Sequence, residues 1–157
     1  MQEAIERIKN ERTYILKLIE DLDAEQLNKI PVGLNNNIIW NLGHLIASQQ
    51  SICYRRVGLE MFVEEKYFTA YRPGTKPNTF VDHAEIECMK KLFLTAIDKF
   101  EKDYDDGLFL NYPTWTTLYG IEINNIEDAV HFVLFHEGLH TGYIMALKRL
   151  TTTPLPS

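Results

Sequence analysis

The stretch HFVLFHEGLH, residues 131–140, lies in a segment with helical apolar spacing and holds three of the five histidines of the chain. It ends in the pattern H-E-x-x-H, in which His136 and His140 are four residues apart. Residues at this spacing project from one face of an α-helix, so the two imidazoles are expected side by side. Such a pair can place two nitrogens about 2.0–2.1 Å from one zinc-sized ion. The stretch therefore predicts a helix that carries part of a metal site, and the site needs a third ligand from elsewhere.

Four segments of the chain have apolar residues at three- and four-residue steps, the spacing of a helix that packs on one face. The helices are predicted at about residues 5–22, 37–57, 83–104 and 126–150. Asn37, Asp82 and Asn125 stand at the starts of the last three, where a side-chain oxygen can accept a free backbone N–H.

Two connections, residues 58–81 and 105–124, exceed the usual length of about 4–6 residues and are rich in aromatic side chains. We expect both to be ordered, with little strand. Their candidates for the wall of a pocket, or for simple packing on the helices, are Tyr67, Phe68, Tyr71, Arg72, Trp115 and Tyr119. The pattern predicts an all-α fold, an up-down four-helix bundle with two long ordered connections. Residues 1–150 form one domain in this prediction, and residues 151–157 form a frayed C-terminal tail.

The composition narrows the classes of partner. The formal net charge is -6 and no Lys/Arg run is present, which argues against nucleic acid as a partner. No segment approaches the roughly 18 apolar residues of a membrane helix, and the N-terminus lacks the pattern of a signal peptide. We therefore expect a cytoplasmic protein with no membrane partner, and we expect Cys53 and Cys88 to be core thiols in a reducing compartment.

The best candidate for the third ligand is His44, within NNIIWNLGHLIASQQ. Three- and four-residue steps place polar residues on the same face of an otherwise apolar helix: Asn37, Asn41, Ser48 and Ser51. Buried polar groups need partners, and a metal on the neighbouring helix would supply one. The alternative is a hydrogen-bonded core histidine. Gly43 leaves room for another helix or a ligand to approach, and His131 and His83 are expected to take no part in the site.

H-E-x-x-H is also a metalloprotease motif, in which Glu137 would act as general base on water. The third ligand of such enzymes usually lies downstream. No His, Asp or Glu follows His140 in this chain, so the metalloprotease interpretation is disfavoured.

Two segments, NNIIWNLGHL and HEGLHTGYI, together resemble the DinB-like (YfiT-like) superfamily of metal-dependent enzymes. The resemblance implies an up-down-down-up four-helix bundle, often dimeric. It also implies a site in which His44, His136 and His140 hold zinc or nickel and water completes the coordination. Characterised relatives include thiol transferases that use bacillithiol, mycothiol or glutathione, and a mycothiol-dependent maleylpyruvate isomerase.

The chain departs from a common pattern of that family beside the expected ligands. Many relatives have Arg, Gly and Gln after the last histidine, where this chain has Thr141, Gly142 and Tyr143. Phe135 precedes His136 at a position that is often Asn. These differences leave the ligand assignment intact, but no particular reaction transfers from the resemblance.

Three neutral imidazoles with one open coordination position are the form of a catalytic rather than a structural metal site. The main hypothesis is a homodimeric hydrolase or thiol S-transferase that activates water or a low-molecular-weight thiol against a small-molecule substrate. The alternatives are a non-catalytic metal-binding or stress-response module and a plain dimeric helical bundle. Asn41, Glu137 and Tyr143 are expected to support the ligands or line the pocket. Solvent exposure is the alternative for Glu137, and ordinary core packing is the alternative for Tyr143.

Overall fold

The computed structural model of the protein describes residues 1–152, and most of them are helical. Its elements are α1 (Gln2–Leu18), α2 (Ala24–Asn28), α3 (Ile38–Cys53), α4 (Glu65–Tyr71), α5 (His83–Asp105), β1 (Trp115–Thr116), β2 (Glu122–Ile123) and α6 (Ile126–Thr152). A short 3-10 turn, Arg55–Val57, follows α3. The four long helices α1, α3, α5 and α6 correspond to the four segments predicted from apolar spacing.

The long helices enclose a common core, because α1 and α3 each pack against both α5 and α6. Burying one Ile, Leu or Phe side chain contributes about 1.5–3 kcal/mol, so the helix faces that meet here hold the fold together. The fully buried apolar residues of these faces include Ile8, Ile15, Leu42, Ile46, Phe93, Phe100 and Leu147. The site described below lies where α3 meets α6.

Side-chain caps start three of the long helices at the predicted positions. The Asn37 Oδ1 accepts the backbone N–H of Trp40 at 2.8 Å. The Asp82 and Asn125 side chains accept the corresponding N–H groups at the starts of α5 and α6, at 2.9 and 2.8 Å. Each cap contributes about 1 kcal/mol, and the Asn37 cap also fixes the start of the helix that carries His44.

The first helix begins and ends earlier than predicted. It ends at Leu18, and the chain then turns into the separate helix α2. The reason is a reciprocal cap: Asp23 accepts the backbone N–H of Gln26 at 2.8 Å, and Gln26 accepts the backbone N–H of Asp23 at 3.0 Å. A capping box of this kind starts a new helix and ends the continuation of the old one.

The last helix runs beyond the predicted boundary. It continues to Thr152, and Thr151 is buried and donates to the backbone carbonyl of Lys148 at 2.9 Å. The first two residues of the predicted tail are therefore helical. Its remainder, residues 153–157, lies outside the described residues.

Both long connections contain regular structure. The first contains α4, which packs against α3, and the second contains the antiparallel hairpin β1–β2, which lies against α6. In the hairpin Trp115 pairs with Ile123, and the Thr117 Oγ accepts the backbone N–H of Ile121 at 3.1 Å. The predictions of ordered connections and minimal strand content are confirmed.

The two cysteines differ in burial. Cys53 lies in the core, and burial raises the pKa of its thiol, which keeps it protonated. Cys88 is exposed, so the prediction of a core thiol there is wrong. The buried stripe of α5 includes Ile86, Met89 and Phe93, and position 88 falls outside that stripe. Within residues 1–152, the helices are all too short or too polar to cross a membrane.

Candidate metal centre

The structure brings together the three histidines predicted as ligands. Their nearest ring nitrogens all lie within 4.8 Å of one another. The ring centroid of His44 is 5.3 Å from that of His136 and 4.8 Å from that of His140, and the last two are 4.6 Å apart. His44 comes from α3 and the other two come from α6. The three residues form a cluster, called the histidine triad below.

The ring of His44 is held from three sides. Its Nδ1 lies 2.8 Å from the backbone carbonyl of Tyr71, at the end of α4. A carbonyl can only accept, so this Nδ1 carries the proton and the lone pair lies on Nε2. Trp40 stacks on the ring at 4.7 Å, and the Ser48 Oγ lies 3.2 Å from Nε2. The Nε2 of His44 is therefore unprotonated, and the Ser48 hydroxyl is positioned to donate to it.

The ring of His140 is oriented by a relay of two asparagines. The Asn41 Nδ2 donates to the backbone carbonyl of Asn37 at 2.7 Å, which fixes the orientation of the Asn41 amide. Its Oδ1 then faces the Nδ1 of His140 at 2.7 Å, so that Nδ1 donates and Nε2 keeps its lone pair. Partners of this kind set the tautomer of metal-binding histidines. Asn41 is fully buried, as the polar face predicted on this helix requires.

All three imidazoles are held neutral. Burial lowers the pKa of His44 below its ordinary value of 6.5. Burial and the neighbouring His44 lower the pKa of His136 to about 4. Burial and the other two rings lower the pKa of His140 to about 3. Neutral imidazole is the form that binds a metal ion, so the triad is in the binding state at neutral pH.

The donor set fits a divalent transition metal. Zinc binds imidazole nitrogen at about 2.0–2.1 Å, so two ligand nitrogens lie at most about 4.2 Å apart. The separations in the triad, up to 4.8 Å, would close with ring movements on the order of 1 Å. Imidazole suits zinc and nickel, whereas calcium and magnesium prefer oxygen. Three protein ligands leave at least one coordination position for water or substrate.

Gly43 is required by the close packing of α4 on α3. A Cβ at this position would lie 2.4–2.7 Å from ring atoms of Tyr71. No side chain fits in that space, so the absence of a Cβ lets Tyr71 approach and place its carbonyl on His44. The prediction that Gly43 leaves room for a neighbouring element is confirmed, and the neighbour is α4.

Glu137 is buried and does not face solvent. Its carboxylate accepts from the Arg12 Nη2 at 2.6 Å and from the Arg12 Nε at 3.0 Å, and both residues are at most 1% exposed. Burial raises the pKa of Glu137, and the bidentate bonds from Arg12 oppose that rise. A buried carboxylate engaged by a guanidinium is a poor general base, which counts further against the metalloprotease interpretation.

Arg12, a functional neighbour of Glu137, was not predicted from the sequence. The sequence contains the signal for this residue. Ile5, Ile8 and Ile15 define an apolar stripe, and position 12 falls within it, four residues after Ile8 and three before Ile15. A charged residue inside such a stripe needs a buried partner. Arg12 also donates to the backbone carbonyl of Phe93 at 2.7 Å, and so it joins α1, α5 and α6.

The remaining predicted residues differ in their burial and in what they pack against. Tyr143 is half-buried and packs against the core, and His83 and His131 are exposed. Of the aromatic connection residues, Phe68 is buried beneath the guanidinium of Arg55, and Tyr67 is half-buried. Trp115 and Tyr119 lie against Phe132, whose ring centroid is 6.2 Å from that of His136.

Four long helices that bring three neutral histidines to one point define a helical protein with a candidate metal centre. A family model described as the DinB superfamily matches residues 7–144. The chain belongs to the DinB superfamily, and the family predicted from the two sequence segments is confirmed. A search of curated proteins found no match.

Proposed function

We propose that this protein is a metal-dependent enzyme in which His44, His136 and His140 hold zinc or nickel. It acts as a hydrolase or a thiol S-transferase on a small molecule. The observation that carries the proposal is the set of hydrogen bonds that commits Nδ1 of His44 and of His140 to protein acceptors. In these tautomers the lone pair of each ring lies on Nε2, the atom that would bind a cation, and at His44 the cation would displace the Ser48 hydroxyl that lies 3.2 Å away.

The chemistry would come from a divalent cation with an open position, whose charge activates water or a thiol. The chain itself supplies the positioning. The Tyr71 carbonyl holds the ring of His44, and Asn41 holds the ring of His140. His44 is 6% exposed, whereas the two histidines of α6 are half-buried, so a small molecule would approach from the α6 side.

Three finer features belong to the same proposal. The up-down-down-up order of the four long helices is supported by membership of the DinB superfamily. The homodimer and the cytoplasmic location remain predictions from the sequence.

Metal analysis of protein purified without a histidine tag tests the site. We expect about one zinc or nickel ion per chain, and we expect His44→Ala, His136→Ala and His140→Ala each to lose it. His131→Ala is the matched control, because it removes an exposed histidine of the same helix and should keep the metal. Wild-type metal content in His44→Ala would show that α3 supplies no ligand.

The main alternative is a non-catalytic metal-binding or stress-response module. Two activity assays of the metal-loaded protein distinguish this module from the proposed enzyme. One measures hydrolysis of activated esters, and the other measures reaction of electrophiles with several low-molecular-weight thiols. Turnover that disappears in all three triad variants supports the enzyme. Metal-loaded protein without turnover on either class of substrate supports the binding module.

A further inference from the structure

The histidines of α6 lie at the boundary between its buried and its exposed face. On one side of them Val133, Glu137 and Ile144 are buried in the core. On the other side Phe135 and Leu139 are 44% and 45% exposed. The exposed face of α6 that borders the triad therefore carries Phe135 and Leu139.

Aromatic rings continue from the triad onto that face. The ring of Phe132 lies 6.2 Å from that of His136 and 6.2 Å from that of Phe135. The hairpin adds Tyr119, whose ring is 5.4 Å from that of Phe135, and Trp115, whose ring is 5.8 Å from that of Phe132. These separations are those of interacting aromatic pairs. The aromatic wall is the surface formed by Trp115, Tyr119, Phe132 and Phe135.

The aromatic wall itself carries no charge, and charged residues lie at its margins. The exposed residues of α6 between the wall and the triad are the uncharged Phe135 and Leu139, whereas Asp128 lies one turn before Phe132 and the Glu11 carboxylate lies beside Gly138. Within the described chain, Arg56 stacks on one residue of the wall, Trp115, with its guanidinium 3.5 Å from the ring centroid. Near His136 the wall offers the aromatic ring of Phe132.

The geometry points to a substrate class for the proposed enzyme. We propose that the aromatic wall binds an uncharged, ring-bearing or branched apolar group of the substrate while the reactive group lies at the triad. This inference rests on the proposed function. It follows from the continuity of the wall with His136 and from the exposure of Phe135 and Tyr119, which are 44% and 58% exposed and free to pack on a ligand.

Binding of two thiols to the cobalt-loaded protein tests this inference without requiring turnover. Benzyl mercaptan and 2-mercaptoethanol are both alkyl thiols that bind as thiolate and release a proton to the buffer, and the sulfur-to-cobalt absorption band reports binding. The variants are Phe135→Ala and Tyr119→Ala. The matched control is Phe80→Ala, which removes a phenyl ring that is 54% exposed and contacts the α2 region instead.

We expect the wild type to bind benzyl mercaptan at least about tenfold more tightly than 2-mercaptoethanol, because the phenyl ring buries apolar surface on the wall. Phe135→Ala and Tyr119→Ala should each reduce this preference by about threefold or more, with the affinity for 2-mercaptoethanol unchanged. Phe80→Ala should keep the full preference.

Equal affinities in the wild type, or an unchanged preference in both wall variants, would overturn the inference while leaving the metal site in place. Protein that takes up no cobalt would overturn the proposed function and the inference with it. Each variant is also sized by light scattering. A wall variant that dissociates a dimer but keeps the thiol preference would identify the wall as a self-association surface and overturn the inference.

Discussion

Replacing Asn41 by alanine is expected to weaken metal binding about 10–100-fold, although Asn41 is not a ligand. Its Oδ1 accepts from the Nδ1 of His140 at 2.7 Å, and its Nδ2 donates to the carbonyl of Asn37 at 2.7 Å. Without this relay the His140 ring is free to turn and to exchange its tautomer. The predicted factor corresponds to about 1.4–2.7 kcal/mol of binding free energy.

The same change should lower the free energy of unfolding by a different route. Asn41 is fully buried, so its loss leaves the N–H of His140 without an acceptor, which costs about 1–3 kcal/mol. The Asn37 carbonyl still accepts the backbone N–H of residue 41, at 3.3 Å, so the substitution does not leave this carbonyl without a donor. Asn28→Ala is the matched control, because the Asn28 amide likewise makes two hydrogen bonds, to the carbonyls of Ala24 and Val81, but lies in α2. It should lose similar stability and keep full metal affinity.

The assay is a competition titration of zinc against a chelator, with denaturant unfolding of the metal-free protein in parallel. Asn41→Asp separates the two effects, because a carboxylate still accepts from His140 but cannot donate to the Asn37 carbonyl. It should keep metal affinity within about threefold of the wild type and still lose stability. Wild-type zinc affinity in Asn41→Ala, with the metal lost in His140→Ala, would refute the role given to Asn41.

Three further predictions concern the fold around the site. Zinc at about 100 times its dissociation constant should stabilise the protein by about 2.7 kcal/mol, which raises the melting temperature by roughly 5–10 °C in a thermal scan; no shift would show that the folded state has no site. Gly43→Ala should lower the free energy of unfolding by about 1–2 kcal/mol, because the new Cβ would lie 2.4–2.7 Å from the ring of Tyr71. Gly142→Ala should instead raise the free energy of unfolding by up to about 1 kcal/mol, because no atom lies within 4 Å of the new Cβ. Equal effects of the two glycine substitutions in denaturant unfolding would contradict the close packing of α4 on α3. Arg12→Met should cost about 3–5 kcal/mol in the same measurement, because it leaves the carboxylate of Glu137 buried without its partner; a loss below about 1 kcal/mol, typical of surface ion pairs, would show that the pair is solvated.

The long helices could be predicted from the sequence because local chemistry sets their limits. Apolar stripes mark their buried faces, and Asn37, Asp82 and Asn125 cap their first turns. The short helix α2 could not be predicted in the same way, since five residues are too few to show a period. Its capping pair, Asp23 and Gln26, was the available signal. The sequence shows which residues share a helix face, but it does not show which helices are neighbours.

The histidine triad and Asn41 were predictable for the same reason, whereas the support of His44 was not. His136 and His140 share a helix face by spacing, and the polar face of α3 identified His44 and Asn41 together. The acceptor for His44 is a backbone carbonyl, that of Tyr71, at the end of a helix within a long connection. Every residue has a carbonyl, so no side-chain pattern could have selected this one.

The role of Glu137 depends on how α6 is turned relative to the core. Consecutive helix residues lie about 100° apart around the axis, so Glu137 cannot share the face of the two histidines that flank its turn. The two histidines lie at the edge of the buried face of α6. The residue that follows His136 therefore lies in the core, where an isolated carboxylate would be costly. Arg12 meets it there from the apolar stripe of α1. The glutamate of an H-E-x-x-H motif can act on metal-bound water only when the helix is rotated so that its carboxylate, as well as the two histidines, borders the metal. In this chain Glu137 instead pairs with Arg12, which lies within the apolar stripe of α1.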